Sequence, residues 1–234
     1  MSPENEIRCV LFDAVGTLLY PSPPVAAAYG AVAWRHGSSL SEAEIGRRFR
    51  AAFRRQEAID TAENGSRTDE AREWRRWQAI VAETFSDVTD TEAAFEELWK
   101  HFGLAENWRL FDDVADVWPA LARRGYRLGI ASNFDGRLRA ICRGLPPLDD
   151  CSDVFVSSEL GVRKPADEFF HGVRGRLKLS AEEILLVGDD LANDYVAARS
   201  AGWQALLLDR AGECAPAVES ASSLRALLAY LGVR

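Results

Sequence analysis

Lysine is scarce in this chain, with only three copies among 234 residues, at positions 100, 164 and 178. Acidic residues outnumber Lys and Arg by 36 to 28, and the formal net charge is −8. This balance argues against a protein that binds nucleic acid or an anionic membrane over a broad basic face, but it does not exclude a local basic pocket. A lysine inside a motif is therefore more informative here than in a lysine-rich chain.

Cysteine is also sparse, and its four copies are not arranged as a site. They show no C-x-x-C spacing and no neighbouring histidine cluster: Cys9, Cys142, Cys151 and Cys214. Reduced thiols in a cytosolic protein explain this pattern better than a zinc site or a disulfide scaffold. The sequence has no apolar run of the ~18 residues that a membrane span needs, and its first residues lack the features of a signal peptide. We therefore expect a cytoplasmic protein without membrane contact.

The most informative stretch surrounds Asp13. It follows a short apolar run, Cys9 to Phe12, that is typical of a strand, and Gly16 and Thr17 come shortly after it. A carboxylate at the carboxyl end of a strand lies at the edge where open α/β sheets bind ligands. Gly16 allows a sharp turn and a close approach of backbone to ligand, while the hydroxyl of Thr17 can orient a neighbour. Taken alone, the same pattern is ordinary turn chemistry.

Three further apolar runs end in polar residues that suit phosphate chemistry. The first ends at Ser132 and Asn133, and the second is followed after a loop by Lys164. The third leads into an acidic cluster that contains Asp189, Asp190 and Asp194. Because the carboxyl ends of parallel strands meet at one edge of a sheet, these side chains are expected to lie near Asp13.

The alternation of short apolar runs with helical patterns predicts an α/β fold, with a Rossmann-like, doubly wound and mostly parallel sheet. Residues 19–108 instead show four amphipathic helical patterns and few strand signals, which predicts an inserted four-helix cap domain. Residues 1–18 and 109–234 would then form the core domain. The segments near 19–22 and 106–112 are expected to be the hinges of a lid. The predicted cap helices cover about 25–35, 42–60, 69–86 and the residues after 90.

The four motifs, in this order and at this spacing, resemble those of the haloacid dehalogenase-like hydrolases. The resemblance covers residues 6–18 and about 109–210. A helical cap inserted after the first strand occurs in many members of that family. The Ser-Asn-Phe-Asp stretch at 132–135 and the tryptophan-rich insertion resemble one branch of its helical-cap members.

The resemblance implies a specific chemistry. Asp13 would attack a phosphoryl group of a small-molecule substrate and form an aspartyl phosphate, which water then removes. Mg²⁺ is the implied cofactor, held by the carboxylates of Asp13 and Asp189 and by the main-chain carbonyl of Val15. Ser132 would donate a hydrogen bond to a phosphoryl oxygen, and Lys164 would neutralise transferred charge.

Four other residues have implied roles around this centre. Thr17 and Asn133 would contribute to substrate binding. Asp194, and less directly Asp190, would hold waters or Lys164 next to the metal. Asp190 could equally be an exposed helix cap.

The chain departs from the family pattern at one position, because the motif is usually Asp-x-Asp-x-Thr and Val15 stands where the second aspartate belongs. That aspartate supplies general acid–base catalysis, which is worth roughly 10²–10⁴-fold in rate. Three interpretations follow. The protein is a slow phosphatase, or one served by a cap carboxylate; it catalyses another reaction of the superfamily; or it is a weakly catalytic phosphate- or partner-binding protein. The cap carboxylates considered for this role are Asp60, Glu63 and Asp69.

Two other reactions of the superfamily fit less well. Haloacid dehalogenases also lack the second aspartate but work without metal, so they do not need the acidic cluster around Asp189. Phosphonoacetaldehyde hydrolases require a cap lysine, and Lys100 in the fourth predicted helix is a poor match. The preferred interpretation is therefore a Mg²⁺-dependent phosphatase, with a binding protein as the alternative. The sequence leaves the substrate and the oligomeric state open.

Overall fold

The computed structural model describes residues 7–212 and 218–233, except for the side chains of Thr61, Glu63 and Asn64. Cys214 and the acid–base candidate Glu63 thus lie outside what is described. Among the described helices, none is both long and apolar enough to cross a bilayer. The strands of the described residues are β1 (Cys9–Phe12), β2 (Leu19–Pro21), β3 (Trp108–Leu110), β4 (Arg127–Ser132), β5 (Asp153–Val156), β6 (Ile184–Gly188), β7 (Gln204–Leu208) and β8 (Ser220–Ala221).

Helices surround these strands. The α-helices of the described residues are α1 (Val25–Arg35), α2 (Glu42–Asn64), α3 (Glu70–Thr84), α4 (Thr91–His101), α5 (Val114–Arg123), α6 (Arg137–Arg143), α7 (Ser157–Leu160), α8 (Asp167–Leu177), α9 (Ala197–Ser200) and α10 (Leu224–Tyr230). Short 3₁₀-helices cover Ala105–Asn107 and Ala181–Glu183, and a π-helix covers Leu191–Val196. The π-helix is continued directly by α9.

A six-stranded parallel sheet forms the centre, in the order β5–β4–β1–β6–β7–β8. The chain runs from β1 to one side through β4 and β5 and then crosses back to β6 on the other side. The strand order therefore reverses next to β1, and ligands of open α/β sheets bind at such a point. The predicted Rossmann-like, mostly parallel fold is confirmed.

The sheet is buried on both faces, which explains why its central strands are continuous apolar runs. The alternation of side chains along β1 divides its residues between two cores. Val10 and Phe12 pack in the core that includes Trp118 of α5, whereas Leu11 packs in the core that includes Phe169 of α8. Helices on both faces therefore fix the orientation of β1, and with it the position of Asp13.

The four helices predicted for the insertion are present as α1 to α4. Three of them start at a residue whose side chain caps the helix: Ser41 accepts from the Glu44 N–H at 3.3 Å, Asp69 from Arg72 at 2.7 Å and Asp90 from Ala93 at 3.0 Å. The helix α2 runs to Asn64, longer than expected, and ends at Gly65 with φ of 55°. The insertion has its own apolar core around Tyr29, Phe85 and Phe95. The division into core and cap domains stays a prediction.

The chain enters and leaves the insertion through a two-stranded antiparallel ribbon. Leu19 pairs with Leu110, and Pro21 pairs with Trp108. These strands coincide with the two segments expected to be hinges, and three residues each is too short for a strand pattern to be recognised in the sequence. Hinge motion at the ribbon stays a prediction.

A second connection joins the insertion to the sheet beside the predicted catalytic lysine. Residues between α2 and α3 pair with the loop that follows α7. Arg67 and Val162 form an isolated antiparallel bridge, the Thr68 N–H donates to the Gly161 carbonyl at 3.1 Å, and the Arg163 N–H donates to the Ser66 carbonyl at 2.8 Å. The insertion is thus fastened to the segment that leads into Lys164.

Two glycine substitutions should change stability in opposite directions. A Cβ on Gly129 of β4 would lie 2.6 Å from the Asp153 carbonyl oxygen, whereas one on Gly175 of α8 meets nothing within 4 Å. We expect Gly129→Ala to lower the free energy of unfolding by about 1–3 kcal/mol through overpacking. Gly175→Ala should raise it by roughly 0.5–1 kcal/mol, because alanine favours helix. Urea unfolding measures both, and an unchanged midpoint for Gly129→Ala would show that the sheet is looser than described.

Candidate active site

Asp13 lies at the carboxyl end of β1, at the point where the strand order reverses. Its N–H donates to the Val187 carbonyl of β6 at 2.9 Å, which extends the sheet pairing by one residue and fixes the backbone. Its side chain accepts a hydrogen bond from Lys164 at 2.7 Å, and Ser132 lines the same cavity. Burial raises the pKa of Asp13, and the neighbouring Lys164 ammonium opposes that rise while Asp189 adds to it. The carboxylate therefore depends on nearby cations for its charge.

Lys164 provides one such cation. Its Nζ donates to Asp13 Oδ1 at 2.7 Å, to Asp194 Oδ1 at 2.5 Å and to the Ala131 carbonyl at 2.8 Å. These three bonds match the three donors of an ammonium group. Burial disfavours the charged form, but the two carboxylates hold the pKa of Lys164 above its ordinary value. Lys164 is therefore charged and fixed in place.

Asn133 holds the backbone of Lys164. Its side-chain nitrogen donates to the Lys164 carbonyl at 3.0 Å, and its Oδ1 accepts from the Lys164 N–H at 2.8 Å. The sequence suggested a contact with substrate, whereas the structure shows a positioning contact between β4 and the lysine loop. Asn133 also lines the cavity described below, so contact with substrate stays a prediction.

Asp189 follows β6 and is oriented by the turn after β1. The Thr17 hydroxyl donates to Asp189 Oδ1 at 2.7 Å. Thr17 is fully buried and positions Asp189, and a contribution of Thr17 to substrate binding stays a prediction. Gly16 has φ of 91°, and a Cβ there would lie 2.3 Å from Asp189 Oδ2. Only glycine permits this close approach.

The neighbouring aspartates differ in their contacts. Asp194 is buried and accepts from Lys164 and from the Asp190 N–H, and burial raises its pKa to about 6. The Asp190 carboxylate instead caps the π-helix, accepting from the N–H groups of Ala192 and Asn193, both at 2.9 Å. The Asp190 N–H contacts Asp194, and support of a metal site by the Asp190 side chain stays a prediction.

The carboxylates of Asp13, Asp189 and Asp194 suit a divalent cation. One oxygen from each lies within 4.8 Å of the others. An all-oxygen donor set matches a hard cation such as Mg²⁺. Three carboxylates face one ammonium, and burial raises the pKa of both Asp13 and Asp189. A further positive charge would therefore stabilise the ionised forms of these two carboxylates. The residues present thus fit a metal.

The side chain of Val15 is 38% exposed and lines the cavity near Asp13. It presents a small apolar surface where the family pattern has a carboxylate. Neither described cap candidate replaces it: Asp60 is buried against Arg72 and Arg76, Asp69 caps α3, and neither lines the cavity. Lys100 does not line the cavity either.

A cavity of about 410 Å³ lies between this edge of the sheet and the insertion. Its walls include ion-paired side chains that the sequence did not indicate as part of a site. Glu73 of α3 accepts from Arg163 at 2.9 Å, next to Lys164, and Asp135 accepts from Arg137 at 2.7 Å. The pair of Glu73 and Arg163 joins segments 90 residues apart, so the sequence could not indicate it, whereas Asp135 and Arg137 are two residues apart. The aromatic residues of the lining are Tyr29, Phe49, Phe53, Trp77, Phe95, Trp99, Phe102, Trp108 and Phe134.

The family model for haloacid dehalogenase-like hydrolases matches residues 7–202, which include strands β1 to β6, the insertion and the site just described. The chain belongs to the haloacid dehalogenase-like hydrolase family. The predicted resemblance is thereby confirmed, and the protein is a hydrolase.

Relatives within the family carry different names. The zebrafish (Danio rerio) haloacid dehalogenase-like hydrolase domain-containing protein 3 is 29% identical over 209 residues, covering 87% of this chain and 86% of its own. The ribulose-1,5-bisphosphate 5-phosphatase of Halopiger xanaduensis is 30% identical, covering 91% and 88%. A solved defluorinating L-2-haloacid dehalogenase shares the fold with a TM-score of 0.79, at 19% identity and coverage of 99% and 98%. The family fold thus includes both phosphatases and dehalogenases.

Removal of one acidic side chain should abolish a metal effect on stability. We expect Mg²⁺ to raise the melting temperature of the protein, because a ligand that binds only the folded state stabilises it. Asp189→Asn should lose most of that rise. The matched control is Asp116→Asn, which removes an exposed carboxylate paired with Arg225. Differential scanning fluorimetry with Mg²⁺ and with EDTA measures the effect. If Mg²⁺ raised the melting temperature equally in the native protein, Asp189→Asn and Asp116→Asn, the metal would bind elsewhere.

Proposed function

We propose that this hydrolase is a Mg²⁺-dependent phosphatase that acts on a small phosphate ester through an aspartyl phosphate on Asp13. The observation that carries this proposal is the environment of Asp13: one fixed ammonium, from Lys164, and two further carboxylates, from Asp189 and Asp194, within reach of a common ion. The phosphatase name of the Halopiger relative supports the same reaction class.

In the first step, a carboxylate oxygen of Asp13 attacks phosphorus, and the bond from phosphorus to the ester oxygen breaks. The Ser132 hydroxyl would donate a hydrogen bond to a phosphoryl oxygen, and the charge of the Lys164 ammonium would stabilise the transferred negative charge. Mg²⁺, held by Asp13, Asp189 and the Val15 carbonyl, would neutralise the repulsion between carboxylate and phosphate. Asn133 and Asp194 keep the lysine in position.

In the second step, water attacks phosphorus, the bond from phosphorus to the Asp13 oxygen breaks, and the proton of the water passes to solvent. A general base would normally accept a proton from that water, and Val15 cannot do so. We therefore propose that the phosphorylated enzyme accumulates and that its hydrolysis limits turnover. A cytoplasmic location belongs to the same proposal, and the free thiols of Cys9, Cys142 and Cys151 are compatible with a reducing compartment.

Haloacid dehalogenation is the second candidate, because an apolar side chain at Val15 and an aromatic cavity also suit a halocarbon. The same aspartate would then attack carbon and release halide. The acidic pair of Asp189 and Asp194 favours the phosphatase, since attack on a halocarbon does not need it. Release of chloride from 2-chloropropionate without release of phosphate from any ester would select the dehalogenase.

Restoring the missing carboxylate should accelerate the slow step. The Val15 side chain faces the cavity, so Val15→Asp places a general base next to Asp13. We expect the steady-state rate of phosphate release from para-nitrophenyl phosphate to rise by roughly 10–10³-fold, within the range of general acid–base catalysis.

Val15→Asn is the matched control, because it has nearly the same shape and polarity but cannot accept the proton. It should leave the rate within a few-fold of that of the native protein. Equal acceleration by Asp and Asn would trace the effect to polarity and not to proton transfer. If Val15→Asp did not accelerate turnover, this result would contradict the proposal that the missing base makes the second step limiting.

A further inference from the structure

The cavity wall contributed by the insertion is mainly aromatic. We call Phe49, Phe53, Trp77, Trp99 and Phe102 the aromatic wall; all five line the cavity and are only half-buried. The ring centroids of Phe49 and Phe53 are 6.0 Å apart, as are those of Phe53 and Trp77. Fully packed aromatics of the same insertion, such as Phe85, are completely buried. The aromatic wall therefore presents ring surface to whatever occupies the cavity.

Two polar side chains beside the aromatic wall are engaged with other groups of the protein. Glu73 accepts from Arg163 and from Thr68, at 2.9 and 2.7 Å. The Arg76 guanidinium lies over the rings of Phe53 and Trp77, 4.9 and 5.5 Å from their centroids. A ligand with many hydroxyl groups would lose hydration against the rings, and the paired Glu73 and Arg163 would offer it no free partner. An aromatic or aliphatic group has few hydrogen bonds to water to lose, and it would gain contact with the rings.

The position of Val15 restricts the leaving group in another way. The departing ester oxygen of an ordinary alcohol needs a proton as the bond to phosphorus breaks, and the family residue that supplies it is missing. A phenol has a pKa near that of tyrosine, about 10. A phenolate therefore leaves without a proton far more readily than an alkoxide.

We infer that the substrate is an aryl phosphate, whose aromatic ring packs against the aromatic wall and whose ester oxygen is phenolic. This rests on the proposed phosphatase function and names its substrate class. Asp13 forms the new bond to phosphorus, and the bond from phosphorus to the phenolic oxygen breaks. The oxygen keeps the electron pair and takes its proton from solvent after release. The aromatic wall and Val15 are thus two independent features that select the same substrate.

Three esters separate these two features: 1-naphthyl phosphate, 1-naphthylmethyl phosphate and ribose 5-phosphate. We expect both naphthyl compounds to half-saturate the enzyme with Mg²⁺ at roughly 10²-fold lower concentration than the sugar phosphate, because only they fit the apolar cavity. In single-turnover reactions with enzyme in excess, 1-naphthyl phosphate should transfer its phosphoryl group about 10²-fold faster than 1-naphthylmethyl phosphate. The reason is that the alcohol released from the naphthylmethyl ester is a much weaker acid than a phenol and needs a proton to leave.

The aromatic wall is tested by Trp77→Ala, with Phe53→Leu as a milder second variant that keeps apolar volume. Each should raise the half-saturating concentration of both naphthyl esters by about 10-fold, in the range of a lost apolar contact, and leave that of ribose 5-phosphate unchanged. The control is Trp34→Ala, which removes an exposed indole outside the cavity. Its half-saturating concentrations should equal those of the native protein.

Acetyl phosphate separates the two levels of the proposal, because it is small and has an acidic leaving group. Labelling of Asp13 by acetyl phosphate, together with equal use of ribose 5-phosphate and 1-naphthyl phosphate, would overturn the aryl inference and keep the phosphatase. An equally fast reaction of both naphthyl esters would also overturn it. Failure of every donor to label Asp13 would overturn the phosphatase and the aryl inference together.

Discussion

The site is organised around one buried charge, the Lys164 ammonium, which is held by the carboxylates of Asp13 and Asp194 at 2.7 and 2.5 Å. A buried ammonium is stable only when its charge and its donors are matched, and these two aspartates and a carbonyl match them. The nucleophile, the lysine and the buried aspartate therefore require one another. Removing any one of them would leave an uncompensated charge next to the reacting group.

The same lysine connects the site to the insertion. Its neighbour Arg163 pairs with Glu73 of α3, and its loop is bonded to Ser66 and Thr68 between α2 and α3. The insertion thus contributes both the aromatic wall of the cavity and part of the support for the lysine loop. Any opening of the insertion on the ribbon of β2 and β3 must break these contacts, so access to the cavity and the position of Lys164 are linked.

The sequence was sufficient for the parts of the molecule that local patterns determine. Continuous apolar runs revealed the buried strands, amphipathic patterns located the helices of the insertion, and four motifs in order indicated the residues of the candidate site. The sequence could not assign contacts between side chains that the fold brings together from distant segments. Thr17 and Asn133 have suitable chemistry for binding substrate, but the structure engages them with Asp189 and Lys164. The short ribbon and the ion pair of Glu73 with Arg163 join distant segments that no local pattern connects.

The central claim is that Asp13 becomes phosphorylated and is then released slowly. Stopped-flow mixing with para-nitrophenyl phosphate and Mg²⁺ tests it directly, because para-nitrophenolate leaves without a proton. The account predicts a burst of about one equivalent of para-nitrophenolate per protein, followed by slow turnover, as covalent catalysis with a limiting second step requires. Acid-quenched protein should carry a phosphoryl group on Asp13, and Asp13→Asn should show neither burst nor label. A burst that persists in Asp13→Asn, or steady turnover of the native protein without a burst or a label, would contradict the account.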